Sequence, residues 1–218
     1  MLVLHTMTLN VSALSIALRD EVNHHDKVDR SSYQVLPPAS PVLLAVCKYI
    51  RSQDSGADRM KLQKLLYLIQ GSYLAQTGNP LFPETPQAWQ YGPVYPAVYF
   101  VDRYETSDID CADTSVLTEA QKHLIGAIVT NNHENRPVDL MQLTHESDPW
   151  VEARGDLAPE ESSRTEITHE SMLRFFSKPG NATTTATVTD EARWDDLPAG
   201  FMEAEEKRWA GLLERLAS

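Results

Sequence analysis

Basic side chains are scarce in this sequence: 19 Lys and Arg stand against 31 Asp and Glu, a formal charge of −12. A duplex-DNA binder releases counterions by placing cations on phosphates, so this balance counts against nucleic acid as the main partner. Cysteine is almost missing. Cys47 and Cys111 are too few for a disulfide framework and lack metal-site spacing, and both are expected to be small packed residues. No run approaches the ~18 to 20 apolar residues of a membrane span. Residues 1–7 are apolar but have neither a basic flank nor the continuous core of a secretory signal. A cytoplasmic location is the resulting expectation. With only 9 glycines, mostly at helix ends and in linkers, there is no phosphate-cradling loop and no Gly-x-Ser-x-Gly elbow.

Hydrophobic residues nonetheless make up 42% of the chain, enough for a packed core. Their spacing predicts a mainly helical fold. Ser40-Pro41 reads as an N-cap followed by proline at the first helical position, with Val42, Leu43, Val46, Cys47 and Ile50 behind it. Asp58 caps the strongest helix, expected to stop at Gly78-Asn79-Pro80. Leu62, Leu65, Leu66, Ile69 and Tyr73 form its apolar stripe, which Leu68 and Leu74 widen, so this helix is expected to be packed on several sides. A proline-rich stretch follows, with a short extended or β segment near residues 87–95 and a turn at Gly92-Pro93. A helix resumes over residues 98–104, and the acidic residues 105–115 read as a surface loop. Further helices are expected after Thr118, Pro137, Ser147 and Thr168.

The ends have a different character. Residues 1–38 read as an N-terminal extension and residues 39–177 as the compact helical domain. Residues 178–200 form a Thr-rich linker, and residues 201–218 have the pattern of an amphipathic helix bearing Met202, Trp209, Leu212, Leu213 and Leu216.

Reaction chemistry finds little support. His145, Glu146 and Asp148 make the densest local cluster, but Pro149 breaks the helical spacing that a two-histidine metal site needs. Capping of a helix junction by Ser147 or Asp148 explains the same residues. None of the other histidines forms a chelating pair at i, i+4. No catalytic residue, metal or cofactor is therefore expected.

Two segments do not read as ordinary core. On the 58–77 helix, Gln63, Tyr67, Gln70 and Leu74 make a semi-polar stripe, and Lys61 and Lys64 lie near a helix start, where the dipole disfavours cations. Trp89, Tyr91, Gly92, Pro93 and Tyr95 then alternate aromatic rings with rigid turn residues, a composition suited to a contact platform. These ten residues other than Leu74, with Trp209 of the tail, are the candidate partner-binding set. The plainer alternative has the lysines solvated, the glutamines bonded to a neighbouring loop, and Trp89 and Tyr91 acting as lids on the central helix.

The segment Met60-Lys61-Leu62-Gln63-Lys64-Leu65-Leu66-Tyr67, followed by Gly78-Asn79-Pro80-Leu81-Phe82 and Ala88-Trp89-Gln90-Tyr91-Gly92-Pro93-Val94-Tyr95-Pro96, resembles the Panacea domain. That family includes SocA-type antitoxins and phage-associated GepA-like proteins. Thr144-His145-Glu146-Ser147-Asp148-Pro149-Trp150 extends the resemblance, which covers about residues 40–177. It implies a helical fold without enzymatic activity. It also implies a role as the neutralising half of a toxin–antitoxin pair, contacting a protein toxin encoded by an adjacent gene. Some members are also implicated as adaptors delivering a toxin to a ClpXP-type protease. The rival expectations are a proteolysis adaptor or phage-associated regulator that binds a host protein, and a metal-dependent hydrolase at His145 and Asp148. The long leader, the Thr-rich linker and the acidic tail depart from the family pattern.

Overall fold

A computed structural model describes residues 38–104, 106–181 and 186. The expected extension, most of the linker and the tail carrying Trp209 lie outside the described residues.

The chain enters the fold at Ser40, whose hydroxyl accepts from the Leu43 amide at 3.2 Å. Helix α1, Pro41–Gln53, starts with proline in its first turn and buries Leu43, Ala45, Val46, Cys47 and Ile50. Asp58 caps α2, Arg59–Thr77, by accepting from the Lys61 amide at 2.8 Å. At the other end Gly78 adopts φ 73°, a left-handed conformation that glycine reaches at little cost, and α2 stops there. Every residue from Lys61 to Leu74 is buried. A helix covered all round is a central column rather than an amphipathic wall. Around it pack α1, α5, α6 and α8, together with the hairpin.

The hairpin pairs β1, Gln87–Trp89, with β2, Gly92–Val94, antiparallel, Ala88 facing Pro93 and Trp89 facing Gly92. Gly92 has φ 97°, which the tight reversal requires and a side chain would strain. The segment before α8 ties down the outer edge of β1: Ala88 N–H donates to Thr165 O at 2.8 Å, and Ile167 N–H to Pro86 O at 2.7 Å.

Helix α3, Pro96–Tyr104, leads into α4, Thr106–Cys111, and a single 3-10 turn, Thr114–Val116. The acidic stretch is thus largely helical, not the surface loop its composition suggests. Ile109 anchors it by complete burial, while Asp108 and Asp110 face solvent. Its Cys111 is exposed, unlike the buried Cys47, which corrects the expectation that both would be packed. Thr118 and Gln121 form a reciprocal capping box at the start of α5, Glu119–Asn131. Helices α6, Pro137–His145, and α7, Asp148–Arg154, follow, and Thr168 caps α8, His169–Phe176. The described residues are mainly helical, with one small two-stranded sheet. Among the described residues, no helix is long and apolar enough to cross a membrane.

Where α8 crosses α2, a close approach is written into the sequence. A Cβ at Gly71 would lie 2.1 Å from the Phe176 ring. That ring packs edge-on against Tyr67 at 5.4 Å and is itself buried.

Candidate functional site: the tethered hairpin and its aromatic flank

The polar stripe of α2 turns inward. Gln63 works as a two-point clamp: its carbonyl accepts from the Tyr95 amide at 2.7 Å while its amide group points back to Tyr95 O at 3.5 Å. One helical turn pair later, Gln70 repeats the arrangement, accepting from Leu81 N–H at 3.0 Å and donating to Phe82 O at 2.8 Å. A primary amide carries a donor and an acceptor side by side, so it replaces a missing strand neighbour. The two glutamines fasten the irregular segment on either side of the hairpin.

Lys61 and Lys64 are also buried, with different partners. Lys61 Nζ lies 2.9 Å from Asp54 Oδ2 and donates to His133 O at 2.7 Å. That lysine, by its hydrogen bond, holds the Asp54 carboxyl below its ordinary value. Lys64 is 1% exposed and donates to the Pro93 carbonyl at 3.1 Å, with no carboxylate paired to it among the described residues. Burial pushes its amine down from 10.5 to about 7. Gly92 makes space for it: a Cβ there would meet Lys64 Nζ at 2.6 Å and Thr144 Oγ1 at 3.0 Å.

The α6–α7 junction closes over this cradle. His145 stacks on Trp150 with ring centroids 4.1 Å apart, and Trp150 Nε1 donates to Trp89 O at 3.0 Å. Burial, then the positive charges of Lys64 and Arg154, push His145 down to about 4, so its ring is neutral at physiological pH. Ser147 occupies the N-cap position of α7 without a capping bond from its side chain. Its hydroxyl donates instead to Thr144 O at 2.7 Å and meets the Tyr67 hydroxyl at 3.0 Å. The junction is therefore a brace between α2 and the hairpin. Among the described residues, no group of three His, Cys, Asp or Glu side chains comes together to hold a metal.

Residues 62–151 match the model of the family described as Antitoxin SocA-like, Panacea domain. That stretch is similar to the Panacea domain. A 46-residue segment is 44% identical to Antitoxin SocA of Caulobacter vibrioides (strain NA1000 / CB15N), covering 21% of this chain and 24% of that protein. The aligned segment thus spans about a quarter of that relative's length. No solved structure matches the chain.

The fold places the candidate contact residues in two groups. Lys61, Gln63, Lys64, Tyr67, Gln70, Gly92, Pro93 and Tyr95 are buried. In this conformation these residues are covered, and the polar atoms of the α2 stripe bond to the protein's own loops and to Ser147. Trp89 and Tyr91 are half-buried at the hairpin's outer end. Trp209 is outside the described residues.

In the sequence Tyr99-Phe100 follow the aromatic segment, but their spacing does not show that they pack on Trp89. Its ring meets Tyr99 at 5.0 Å, and Tyr99 meets Phe100 at 5.3 Å. Arg59 lies over the Tyr99 ring at 5.6 Å, and Arg103 over Tyr104 at 5.4 Å. The available signal was the i, i+4 spacing of Tyr99 and Arg103, whose side chains hydrogen-bond at 3.1 Å.

Proposed function

We propose that this chain is an antitoxin that neutralises a protein toxin by binding it directly, without catalysis of its own. The match of residues 62–151 to the SocA-like antitoxin family carries this reading. The internal organisation is consistent with it. Polar groups of α2 are spent on holding the hairpin in place, which gives Trp89 a fixed position from which to meet a partner at low entropic cost. Residues 39–177 would be the binding unit. The tail 201–218, with Trp209, would add a second clamp of the helix-in-groove kind.

Co-expression is the test. Each gene adjacent to the one for this chain is induced with and without it, in the full-length form. Growth arrest by one neighbour, reversed by the chain and accompanied by a stoichiometric complex, is the expected result. If neither neighbour is toxic, the antitoxin reading fails and a proteolysis adaptor takes its place. Removing residues 182–218 in the same assay reports on the tail: unchanged rescue eliminates the second clamp.

A further inference from the structure

The loop that joins α7 to α8, residues 155–168, is long, internally bonded and mostly exposed. Buried Arg154 gathers its first half: one guanidinium nitrogen donates to Ala158 O at 2.7 Å and to Glu161 O at 2.8 Å. Glu161 in turn accepts from the Ala158 amide at 2.6 Å. Loops of this length without helix or strand are commonly functional, and this one spends a buried charge on its shape.

Its second half joins the hairpin's sheet. Glu166 sits opposite Gln87 in an antiparallel bridge. Thr165 O accepts from Ala88 N–H, and Ile167 N–H donates to Pro86 O, so the backbone on either side of Glu166 faces β1. Backbone groups alternate in direction along an extended chain. The N–H and C=O of Glu166 therefore point away from β1, at an exposed residue, and neither bonds to another group among the described residues. That leaves an open sheet edge, a template for one more strand.

Charge selects what such a strand carries. Glu152 is paired with Arg174, Asp148 with Lys178, and Glu84 is held on the Ser40 amide and hydroxyl. Neither strand of the hairpin has a charged side chain. Across α7, the loop and α8 the remaining carboxylates are Asp156, Glu160, Glu161, Glu166 and Glu170, and the remaining cations are Arg154 and Arg164. Five against two leaves −3, and Arg154 is the buried one. A second copy of this chain would set like charges together at the edge, whereas a strand bearing lysine or arginine meets opposite ones.

We infer that the Glu166 edge docks an extended, basic segment of the protein toxin, which adds a strand to the hairpin's sheet. Glu166 would exchange both backbone bonds with that segment, and the segment's cations would meet the loop's carboxylates. The inference rests on the antitoxin reading and names the chemistry of the partner segment. It also sets the contact on the same small sheet as Trp89.

The test uses full-length protein and the toxic neighbour that it neutralises. Glu166→Pro removes the edge N–H, which has no acceptor within the fold. Glu166→Lys keeps the backbone and reverses the charge. The expected result is a thermal melt like the parent's, lost growth rescue, and an affinity lowered by about tenfold or more in both variants. Binding by the parent should weaken as salt rises, and hydrogen exchange at its Glu166 amide should slow by about tenfold or more in the complex. If Glu166→Pro melts early, Glu166→Lys and the exchange measurement decide. Unchanged affinity in both variants, or an unprotected Glu166 amide, overturns the inference and leaves the antitoxin reading intact. A loss confined to one variant overturns it too: with lysine alone the contact is charge without a strand, with proline alone a strand without charge selection. Self-association of the parent that Glu166→Pro abolishes would assign the edge to a second copy, with the same consequence. Failure of the parent itself to rescue overturns the antitoxin reading, and this inference falls with it.

Discussion

On α2, Gln63, Lys64, Tyr67 and Gln70 turn their polar atoms inward, onto loop backbone and the Ser147 hydroxyl. On α3, Arg103 donates to the Tyr99 hydroxyl and lies over the ring of Tyr104, which is 45% exposed. Both helices border the same hairpin. The contrast separates two settings that the sequence runs together: α2 is covered all round and fixes where the hairpin sits, and α3 ends in an exposed ring. Substitutions along α2 should therefore cost far more stability than truncation at the exposed end of α3.

The largest effect is expected where α2 meets α8. Gly71→Val places side-chain atoms inside the volume of the Phe176 ring, since even a Cβ would approach to 2.1 Å. A cost of about 3 kcal/mol or more is expected, seen as loss of soluble protein or a much earlier urea midpoint. Combining it with Phe176→Ala should recover part of that loss, because the two residues compete for one space. Additive losses would mean that α8 is not seated on α2 as described.

The two lysines of α2 offer a sharper test, because their substitutions should act with opposite sign. Lys61→Met strips the buried Asp54 carboxylate of its partner and is expected to cost about 1–3 kcal/mol. Lys64→Met replaces an amine buried without a counter-charge by an apolar side chain of similar length, and is expected to stabilise the protein at pH 7. The pH dependence supplies the control. With its folded value pushed down to about 7 from 10.5, Lys64 takes up a proton in the unfolded chain that the folded chain declines. Stability should therefore rise with pH between about 7 and 10.5, and the whole penalty should apply below that window. Urea melts of the parent and of Lys64→Met across this range check the sign. A parent slope that persists in the variant would place the titration elsewhere.

Much of the scaffold was legible. The caps at Ser40, Asp58, Thr118 and Thr168 were readable because capping chemistry is local, and the stop at Gly78 for the same reason. The extended segment showed itself through proline, glycine and aromatic residues. Helix α4 did not, because acidic residues mask its single apolar anchor, Ile109. The direction of the α2 stripe was also hidden. Periodicity says which residues share a face, but not what packs on it, and α2 is covered all round. The pairing of Asp54 with Lys61 crosses a loop, and the α3 cluster joins Arg51, Arg59, Trp89 and Arg103 from four elements or their flanks, so only folding brings them together.

The smallest effect on stability should come from Tyr104→Ala, and that is what makes it informative. The side chain is 45% exposed at the end of α3, and its contact with Arg103 lies at the surface, so truncation removes little buried area. A change below about 1 kcal/mol is expected in the urea midpoint. Gly71→Val by contrast would remove function only by removing the fold. If the melt of Tyr104→Ala stays with the parent's, the end of α3 adds little to the scaffold that α2 organises. If its melt falls as far as that of Lys61→Met, Tyr104 belongs to the scaffold, and the division between the two helices fails.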